Sequence, residues 1–292
     1  MFAKAHIVGC STGGQIRNDD VDDDSAAVAL RFDRTRLRLA AEAIPTPEHS
    51  RSCGEAIGSA LAADDLAGVV GAKIPLTGGL AGDSAIFQET LVGADCAPQS
   101  GRVAAIGFYG PAIRIGHVLY ELDGKPALDL YERYLGEEDA RGLPGTALLF
   151  PLLIRDAARP DQDVVRTVLA VDRQARSMTF AGDVPEGWVA QLMRGNFDRL
   201  AAGAADAARQ ARSGLGACRD GDGLAVLVSC IGRRLLMDQR IMDEVEAAGL
   251  ELSSKIPRVG FYSYGEILLH GAAGVCQLHN QTMTVTAITE AA

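Results

Sequence analysis

The sequence predicts a mixed α/β fold (α+β) with two sheet-based units, each a mixed β-sheet flanked by helices. Short apolar runs bounded by glycine, proline or aspartate recur along the chain, which is typical of strands. Segments with apolar residues at helical spacing interrupt them, without the strict alternation of a βαβ protein. The texture of the sequence changes after Glu121, so we predict units at residues 1–120 and 121–292.

The chain is long enough for two such units and carries an excess of acidic residues. Its 292 residues include 38 Asp plus Glu against 28 Lys plus Arg, which gives a net charge of −10. Hydrophobic residues make up 48%, the composition of a globular protein rather than a disordered chain. A nucleic-acid-binding surface needs concentrated basic residues, and no dense basic run occurs, so nucleic acid is excluded as a main partner.

Cysteine usage and hydropathy predict a cytoplasmic protein with no membrane span. The six cysteines contain no C-x-x-C pair, which excludes a zinc ribbon or a thioredoxin-type motif on spacing. The apolar run at residues 146–154 is far too short to cross a bilayer, which takes about 20 residues. No secretory signal is recognisable, so we expect reduced thiols in the cytoplasm.

The first unit is predicted to be rich in strands. A strand at residues 6–10 leads into a glycine-rich turn at 11–14. The acidic cluster at 19–24 lacks the glycine and closing glutamate of an EF-hand, which favours a solvated loop over a calcium site. The further predicted elements are paired strands at 25–32 and 36–44, a helix at 54–65, a turn at 78–83, and strands at 86–93, 103–110 and 113–122.

The second unit is predicted to interleave helices and strands. A helix begins near Pro126 and ends before Gly136, the positions that these two residues prefer. The alanine-rich segment 196–213 has helical spacing, and Asn196 is its expected N-cap. A second helix is predicted at 231–248. The predicted strands are at 147–154, 164–172, 177–183, 187–193, 224–230, 260–267 and 278–288.

The segment Ser229 to Arg234 is the best candidate for binding an anion. It places Ser229 and Cys230 at the end of a strand, and Arg233 and Arg234 in the opening turn of a helix. Helix N-terminal amides together with a guanidinium fork suit a carboxylate or phosphate. The alternative is that these arginines pair with acidic residues of the protein itself. Cys230 is either a nucleophile activated by this environment or a buried, inert thiol.

The C-terminal block is the second candidate region. Tyr264, Glu266, His279, Asn280 and Thr282 place dense polar groups between apolar strands. Unpaired buried polar groups cost about 1–3 kcal/mol each, so these side chains either satisfy one another or line a pocket. The spacing of His270, Cys276 and His279 does not match a zinc site.

Two glycine-rich turns, at residues 10–16 and 78–83, each follow an apolar run. Backbone N–H groups in such turns can bind an anion. Neither turn matches the dinucleotide or P-loop pattern, so the prediction of a nucleotide site is weak. The alternative is that the glycines are needed for positive φ in tight turns.

Together these segments resemble the FIST family, a paired N- and C-domain sensory module. The resemblance rests on VGCSTGGQI, on GGLAGD at 78–83, on the segment 121–136, and on SCIGRR, GFYSYGEI and LHNQTMT in that order. It covers essentially the whole chain and implies an N-type domain at 1–120 and a C-type domain at 121–292. Family N domains carry further sequence before the first of these motifs, so we expect an N domain that is short at its start.

The resemblance implies ligand sensing in bacterial signal transduction rather than catalysis. Family modules accompany histidine kinases and cyclic-di-GMP enzymes, and amino acids have been proposed as ligands. We expect Arg233 or Arg234 to bind a ligand carboxylate, Glu266 to face an amine, and Asn280 and Thr282 to fix orientation, near Ser229, Cys230, Tyr264 and His279.

Two alternatives stay open. Some family members are reported as haem-containing nitric-oxide sensors that regulate a kinase, and here His279, His270 or a cysteine is the candidate axial ligand. The other alternative is an enzyme with Cys230 as nucleophile, for which no base or orienting acid can be assigned.

Overall fold

A computed structural model describes most of the chain. The described residues are 5–33, 35–62, 77–83, 86, 88–109, 113–116, 135, 139, 141–156, 158, 163–173, 177–182, 184–185, 188–215, 223–252, 256–270 and 275–290. The helix expected from Pro126 to Gly136 therefore lies outside them, apart from Leu135, which is helical. Within the described part, the content is mixed, with helices and strands in several sheets.

The described residues of the N-terminal part are mostly β-structure with one long helix. The strands are β1 (Val8–Cys10), β2 (Gln15–Arg17), β3 (Asp20–Asp22), β4 (Arg36–Ala43), β5 (Gly78–Gly79), β6 (Val92–Ala94), β7 (Arg102–Tyr109) and β8 (Ile113–Gly116). Helix α1 (Ser50–Ala62) buries Cys53 and Ile57 against Ala40 of β4. Cys53 and Ile57 lie four residues apart, so their side chains are on one face of the helix.

The pairing of β4 differs from the expectation. Residues 25–32 form no strand, and β4 pairs antiparallel with β7 over eight residues, from Arg36 opposite Tyr109 to Ala43 opposite Arg102. The prediction of paired strands at 25–32 and 36–44 was therefore wrong for the first of them. Alternating polarity identifies a half-buried strand, but it carries no information about which strand is the partner.

The C-terminal part alternates helices and strands. Its strands are β9 (Leu152–Arg155), β10 (Asp163–Arg166), β11 (Val168–Asp172), β12 (Ser177–Phe180), β13 (Val189–Leu192), β14 (Leu224–Cys230), β15 (Arg258–Ser263), β16 (Glu266–His270), β17 (Val275–His279) and β18 (Met283–Glu290). Its helices that lie wholly within the described residues are α2 (Phe197–Gly214), α3 (Ile231–Met237) and α4 (Ile241–Glu251), with 3-10 turns at Gly145–Leu149 and Asp238–Arg240.

Three local predictions can be compared with the structure. One is confirmed, and the other two differ from it. Asn196 caps α2 as predicted, because its side-chain oxygen accepts the N–H of Arg199. The single helix predicted at 231–248 is two helices, since Asp238 has φ 44° and breaks the helix. The predicted strand at 147–154 begins only at Leu152, after the 3-10 turn.

A six-stranded sheet joins the two halves of the sequence. Its order is β3-β2-β15-β14-β18-β8, so β2, β3 and β8 come from before residue 120 and the other three from after it. Only β14 and β15 are parallel among these neighbours, with Ser229 opposite Tyr262 and Cys230 opposite Ser263. The division at residue 120 stays a prediction, and the two segments it separates share one sheet.

Helices α2 and α4 cover this sheet and form the largest core with it. Four alanines of α2, Ala204, Ala207, Ala208 and Ala211, are buried in that core together with Val245 and Ala248 of α4. Their small side chains let α2 approach both α4 and β18 closely. A second core lies under β9, β10 and β11. No helix in the described part of the chain is long and apolar enough to span a membrane.

Candidate functional site

The two glycine-rich turns meet the end of β15 in one cluster of backbone hydrogen bonds. Gly13 donates its N–H to Tyr262 O at 2.8 Å, and Tyr262 donates to Gly14 O at 3.0 Å. Gly82 donates to Ser11 O at 2.9 Å. We call residues 11–14, 78–83 and 262–266 the turn cluster. It brings together motifs that lie about 250 positions apart in the chain.

Close packing explains two of these glycines. A Cβ on Gly82 would lie 2.6 Å from Gly13 N, and a Cβ on Gly13 would lie 2.5 Å from Cδ1 of Ile231. Positive φ, the predicted reason, applies instead to Gly14 (φ 137°) and Gly78 (φ 157°). The cluster therefore depends on glycine for both reasons.

Arg233 belongs to a buried polar network. It lies on α3, is 4% exposed, and donates from Nε to Glu244 Oε2 of α4 at 2.7 Å and from Nη2 to Leu200 O at 2.8 Å. The other oxygen of Glu244 accepts hydrogen bonds from Ser229 Oγ and Tyr262 OH, both at 3.0 Å. Arg233 and Ser229 thus hold the sheet against the helices, and Glu244 is the acidic partner considered as the alternative to a ligand.

Arg234 points the other way, toward the N-terminal half. Its guanidinium makes a bidentate contact with Asp23, at 2.8 Å and 3.0 Å, and also donates to Gly13 O. The guanidinium carbon lies 5.7 Å from the centre of the Tyr262 ring, within range of a cation–π contact. Hydrogen bonding to Arg234 lowers the pKa of the Asp23 carboxyl. Arg234 therefore connects α3, the turn cluster and the loop after β3.

Glu266 is a buried carboxyl at the start of β16. It is fully buried, and it accepts hydrogen bonds from Ser263 Oγ at 2.6 Å and from Thr282 Oγ1 at 2.7 Å. Burial raises its pKa to about 7, and the two hydroxyl donors only partly oppose that shift. Glu266 and Thr282, both predicted site residues, are thus direct partners of each other.

Within the turn cluster, Tyr264 connects the segment after β15 to the second glycine-rich turn. Its hydroxyl contacts Asp83 Oδ1 and accepts the N–H of Asp83 at 3.2 Å. The other carboxylate oxygen of Asp83 accepts the N–H groups of Gln88 and Glu89. Leu80 donates to Gly265 O at 2.9 Å, which fixes the turn beside β16.

Comparison with known proteins matches both halves of the sequence to domains of one family. Residues 1–122 match the FIST N domain, and residues 127–268 match the FIST C domain. The chain belongs to the FIST family. FIST domains are associated with sensory binding of small ligands in signalling. No curated protein matches the chain.

Asn280 is a buried polar residue of the candidate site without a side-chain hydrogen bond to the described part of the chain. It is 1% exposed, and neither its Oδ1 nor its Nδ2 has a hydrogen-bond partner among the described residues. It follows β17, and its Nδ2 lies 3.4 Å from the Cβ position of Gly265. A buried amide of this kind is costly unless water or a ligand reaches it.

His279, the predicted haem axial ligand, is enclosed by the protein in this structure. Its side chain is fully buried, and its backbone pairs with Glu266 across β16 and β17. An axial histidine must face a cavity of porphyrin size. A depression of about 270 Å³ among the described residues is lined by Leu135, Asp139, Phe150, Leu192, Met193 and Arg194, and His279 is not one of its lining residues. The side chains of His270 and Cys276 lie outside the described part of the chain.

Cys230 lies in surroundings that disfavour a thiolate. It is 4% exposed, and burial together with the nearby Glu266 raises its pKa well above the ordinary value. A nucleophilic cysteine needs the opposite shift. Among the described residues, no group of three or more His, Cys, Asp or Glu side chains is arranged to hold a metal ion.

Sequence reasoning missed the acidic partners of the site. Glu244, Asp23 and Asp83 satisfy Arg233, Arg234 and Tyr264, respectively. One of them left a signal in the sequence, since Glu244 lies four residues before the buried Ala248 on the apolar face of α4. An acidic residue on such a face indicates a buried cationic partner.

Proposed function

We propose that this FIST protein is a sensor that binds a small ligand, with an amino acid as the expected class, at the turn cluster. The observation that supports it most is Arg234, a cation of the C-terminal half bonded to Gly13 and Asp23 of the N-terminal half. A ligand that changes the partners of Arg234 also changes the contact between the two halves. A contact that differs between two states is what a ligand needs in order to shift a conformational equilibrium.

The proposal assigns the ligand carboxylate to Arg234 and a second polar group to Asn280. Arg234 retains 23% side-chain exposure, so an anion in solvent can reach it, whereas Arg233 is enclosed with Glu244. Asn280 offers both a donor and an acceptor beside Gly265. Both residues flank the turn cluster. Its glycines are closely packed, so a ligand that moves either side chain would also move the backbone of the cluster.

The pairing of Glu266 with a ligand amine is not retained in the proposal. An amine at Glu266 would have to displace the hydroxyl donors of Ser263 and Thr282, whereas the amide of Asn280 has no hydrogen-bond partner among the described residues to displace. Glu266 and Thr282 instead fix the β15–β16 turn on which the site is built. No step of bond making or breaking is assigned, because the environment of Cys230 disfavours a thiolate.

A thermal-shift screen with the twenty amino acids tests the proposal. At a concentration of 100 times Kd, a ligand that binds only the folded state adds about 2.7 kcal/mol of stability. We expect at least one amino acid to raise the Tm of the wild type. Arg234→Gln and Asn280→Leu should each reduce that rise, and Arg209→Gln, a change at an exposed arginine of α2, should retain it.

The proposal is wrong if no amino acid raises the Tm of the wild type, or if Arg234→Gln and Asn280→Leu respond as fully as Arg209→Gln. The expected cytoplasmic location belongs to the same proposal, as does a histidine kinase or a cyclic-di-GMP enzyme as signalling partner. A pull-down with and without the amino acid found in the screen tests the partner. The expected result is a kinase or cyclic-di-GMP enzyme whose recovery depends on that amino acid.

A further inference from the structure

The carboxylate of Asp23 contacts Arg234 in the same geometry as a free carboxylate ligand would. Two carboxylate oxygens face two guanidinium nitrogens at 2.8 Å and 3.0 Å, the fork geometry with which arginine binds free carboxylates. The two residues are 211 positions apart in the chain, so this pairing is not a local feature of one helix.

The two partners of this contact are held very differently. Arg234 is 23% exposed and is fixed from below by Gly13 O and the Tyr262 ring. The side chain of Asp23 is 68% exposed and lies in the loop that follows β3, at the edge of the six-stranded sheet. The guanidinium is therefore preorganised, whereas the carboxylate is displaceable, since exposed ion pairs contribute little stability.

The hairpin that carries Asp23 has a second, separate anchor. Asp19 at the β2–β3 turn pairs with Arg258 of β15 at 2.6 Å, and Arg258 is only 7% exposed. Strand β2 also pairs with β15 through Gln15 opposite Phe261. Loss of the Asp23 contact therefore frees the loop after β3 and leaves the hairpin in place.

We propose that Asp23 is an internal stand-in for a carboxylate ligand at Arg234, which keeps the anion site closed until a free carboxylate displaces it. The inference rests on the proposed sensor function and specifies its anion: a carboxylate that presents two oxygens to one guanidinium. Binding exchanges one carboxylate for another at Arg234 and releases the loop that begins with Asp23 and Asp24 after β3. Binding of the ligand at Arg234 thereby changes the structure at the edge of the sheet, where a partner protein can detect it.

Acetate titration followed by NMR of the arginine side chains tests the inference with the full chain. The Nε–Hε signal of Arg234 is assigned by its absence in Arg234→Lys. In Asp23→Ala we expect this signal to shift with acetate and to reach a plateau. The acetate concentration at half-saturation should be about threefold to fivefold lower than in the wild type, because the tethered carboxylate no longer competes. Asp20→Ala, which removes the same charge from β3 of the same hairpin, should titrate like the wild type.

Equal titration of the wild type, Asp20→Ala and Asp23→Ala would overturn the inference, as would an Arg234 signal that acetate does not move in Asp23→Ala. Asp23→Asn provides a second variant that keeps the shape of the side chain, and it should behave like Asp23→Ala. This result is distinct from that of the amino-acid screen. Stabilisation by an amino acid with no effect of Asp23→Ala rejects the stand-in alone, whereas acetate binding with a negative screen rejects the proposed sensor.

Discussion

Arg233 of α3 and Glu244 of α4 form an ion pair of 2.7 Å in which neither residue is more than 4% exposed. The pair is completed by Ser229 and Tyr262, which donate to the same carboxylate from two parallel strands. A charge pair that is buried and fully hydrogen-bonded joins two helices to the sheet directly below the site.

Breaking this pair from one side should destabilise the protein strongly. Glu244→Gln leaves the guanidinium of Arg233 buried without its counter-charge, and such changes cost about 3–5 kcal/mol. Urea unfolding measures the difference. The matched control is Glu251→Gln, also on α4, where the exposed pair with Arg209 is worth about 1 kcal/mol or less. Similar losses in both variants would contradict the structural role assigned to Glu244.

Glu266 should make stability depend on pH. Its pKa is about 7 in the folded protein against an ordinary value of 4.5. The folded state therefore holds this proton more tightly. The stability that comes from holding this proton is complete below about pH 4.5 and is lost as the pH rises through about 7. The free energy of unfolding changes by about 3 kcal/mol over this range.

The variant Glu266→Gln removes this titration while retaining the shape of the side chain. The difference in unfolding free energy between the variant and the wild type should therefore grow in favour of the variant from pH 4.5 to pH 7.5. Urea unfolding at four or five pH values measures it. A difference that does not change across this range would show that Glu266 is not held protonated by its burial.

The turn cluster should tolerate no side chain at Gly82. A Cβ there would lie 2.6 Å from Gly13 N, and backbone on both sides prevents relief, so Gly82→Ala should lose about 1–3 kcal/mol. Gly203→Ala in α2 is the control, since nothing lies within 4 Å of its Cβ position. That change should gain about 0.5–1 kcal/mol, because alanine favours the helix. Thermal unfolding of the two variants should therefore move in opposite directions.

Cys230 should be the slower of two thiols to react. Burial raises its pKa, whereas Cys96 is exposed. Alkylation requires an accessible thiolate, so iodoacetamide at pH 7.5 should label Cys96 well before Cys230 in the native protein. Mass spectrometry of peptides at timed intervals measures both rates. Faster labelling of Cys230 would revive the hypothesis of an enzyme with a cysteine nucleophile.

Local elements could be predicted from sequence where neighbouring residues decide them. The cap at Asn196, the helix after it and the buried strand β14 follow from side-chain chemistry within a few positions, and the structure confirms them. The break at Asp238 inside the predicted helix was missed, because the positive φ of 44° at that residue leaves no mark on the helical spacing of the apolar residues around it.

The candidate site itself was only half predictable. The motifs around Arg234 and Glu266 could be identified as polar groups in a sheet protein, because their density is unusual between apolar strands. Thr282, a partner of Glu266, was among the predicted site residues, but the partner of Arg234 was not, since Asp23 meets Arg234 from 211 positions away through the pairing of β2 with β15. Strand pairing over such distances depends on how the whole chain closes, which local patterns do not encode.

The sequence by itself thus determined the mixed fold, the family and the acidic character of the chain, because each depends on residue types and their local order. Only the tertiary structure decided which charged side chains form ion pairs within the protein. Arg233 and Arg234 are adjacent in sequence, and one is enclosed with Glu244 while the other faces Asp23 at the sheet edge. Successive residues of a helix point about 100° apart, so two neighbouring arginines can serve the core and the site separately.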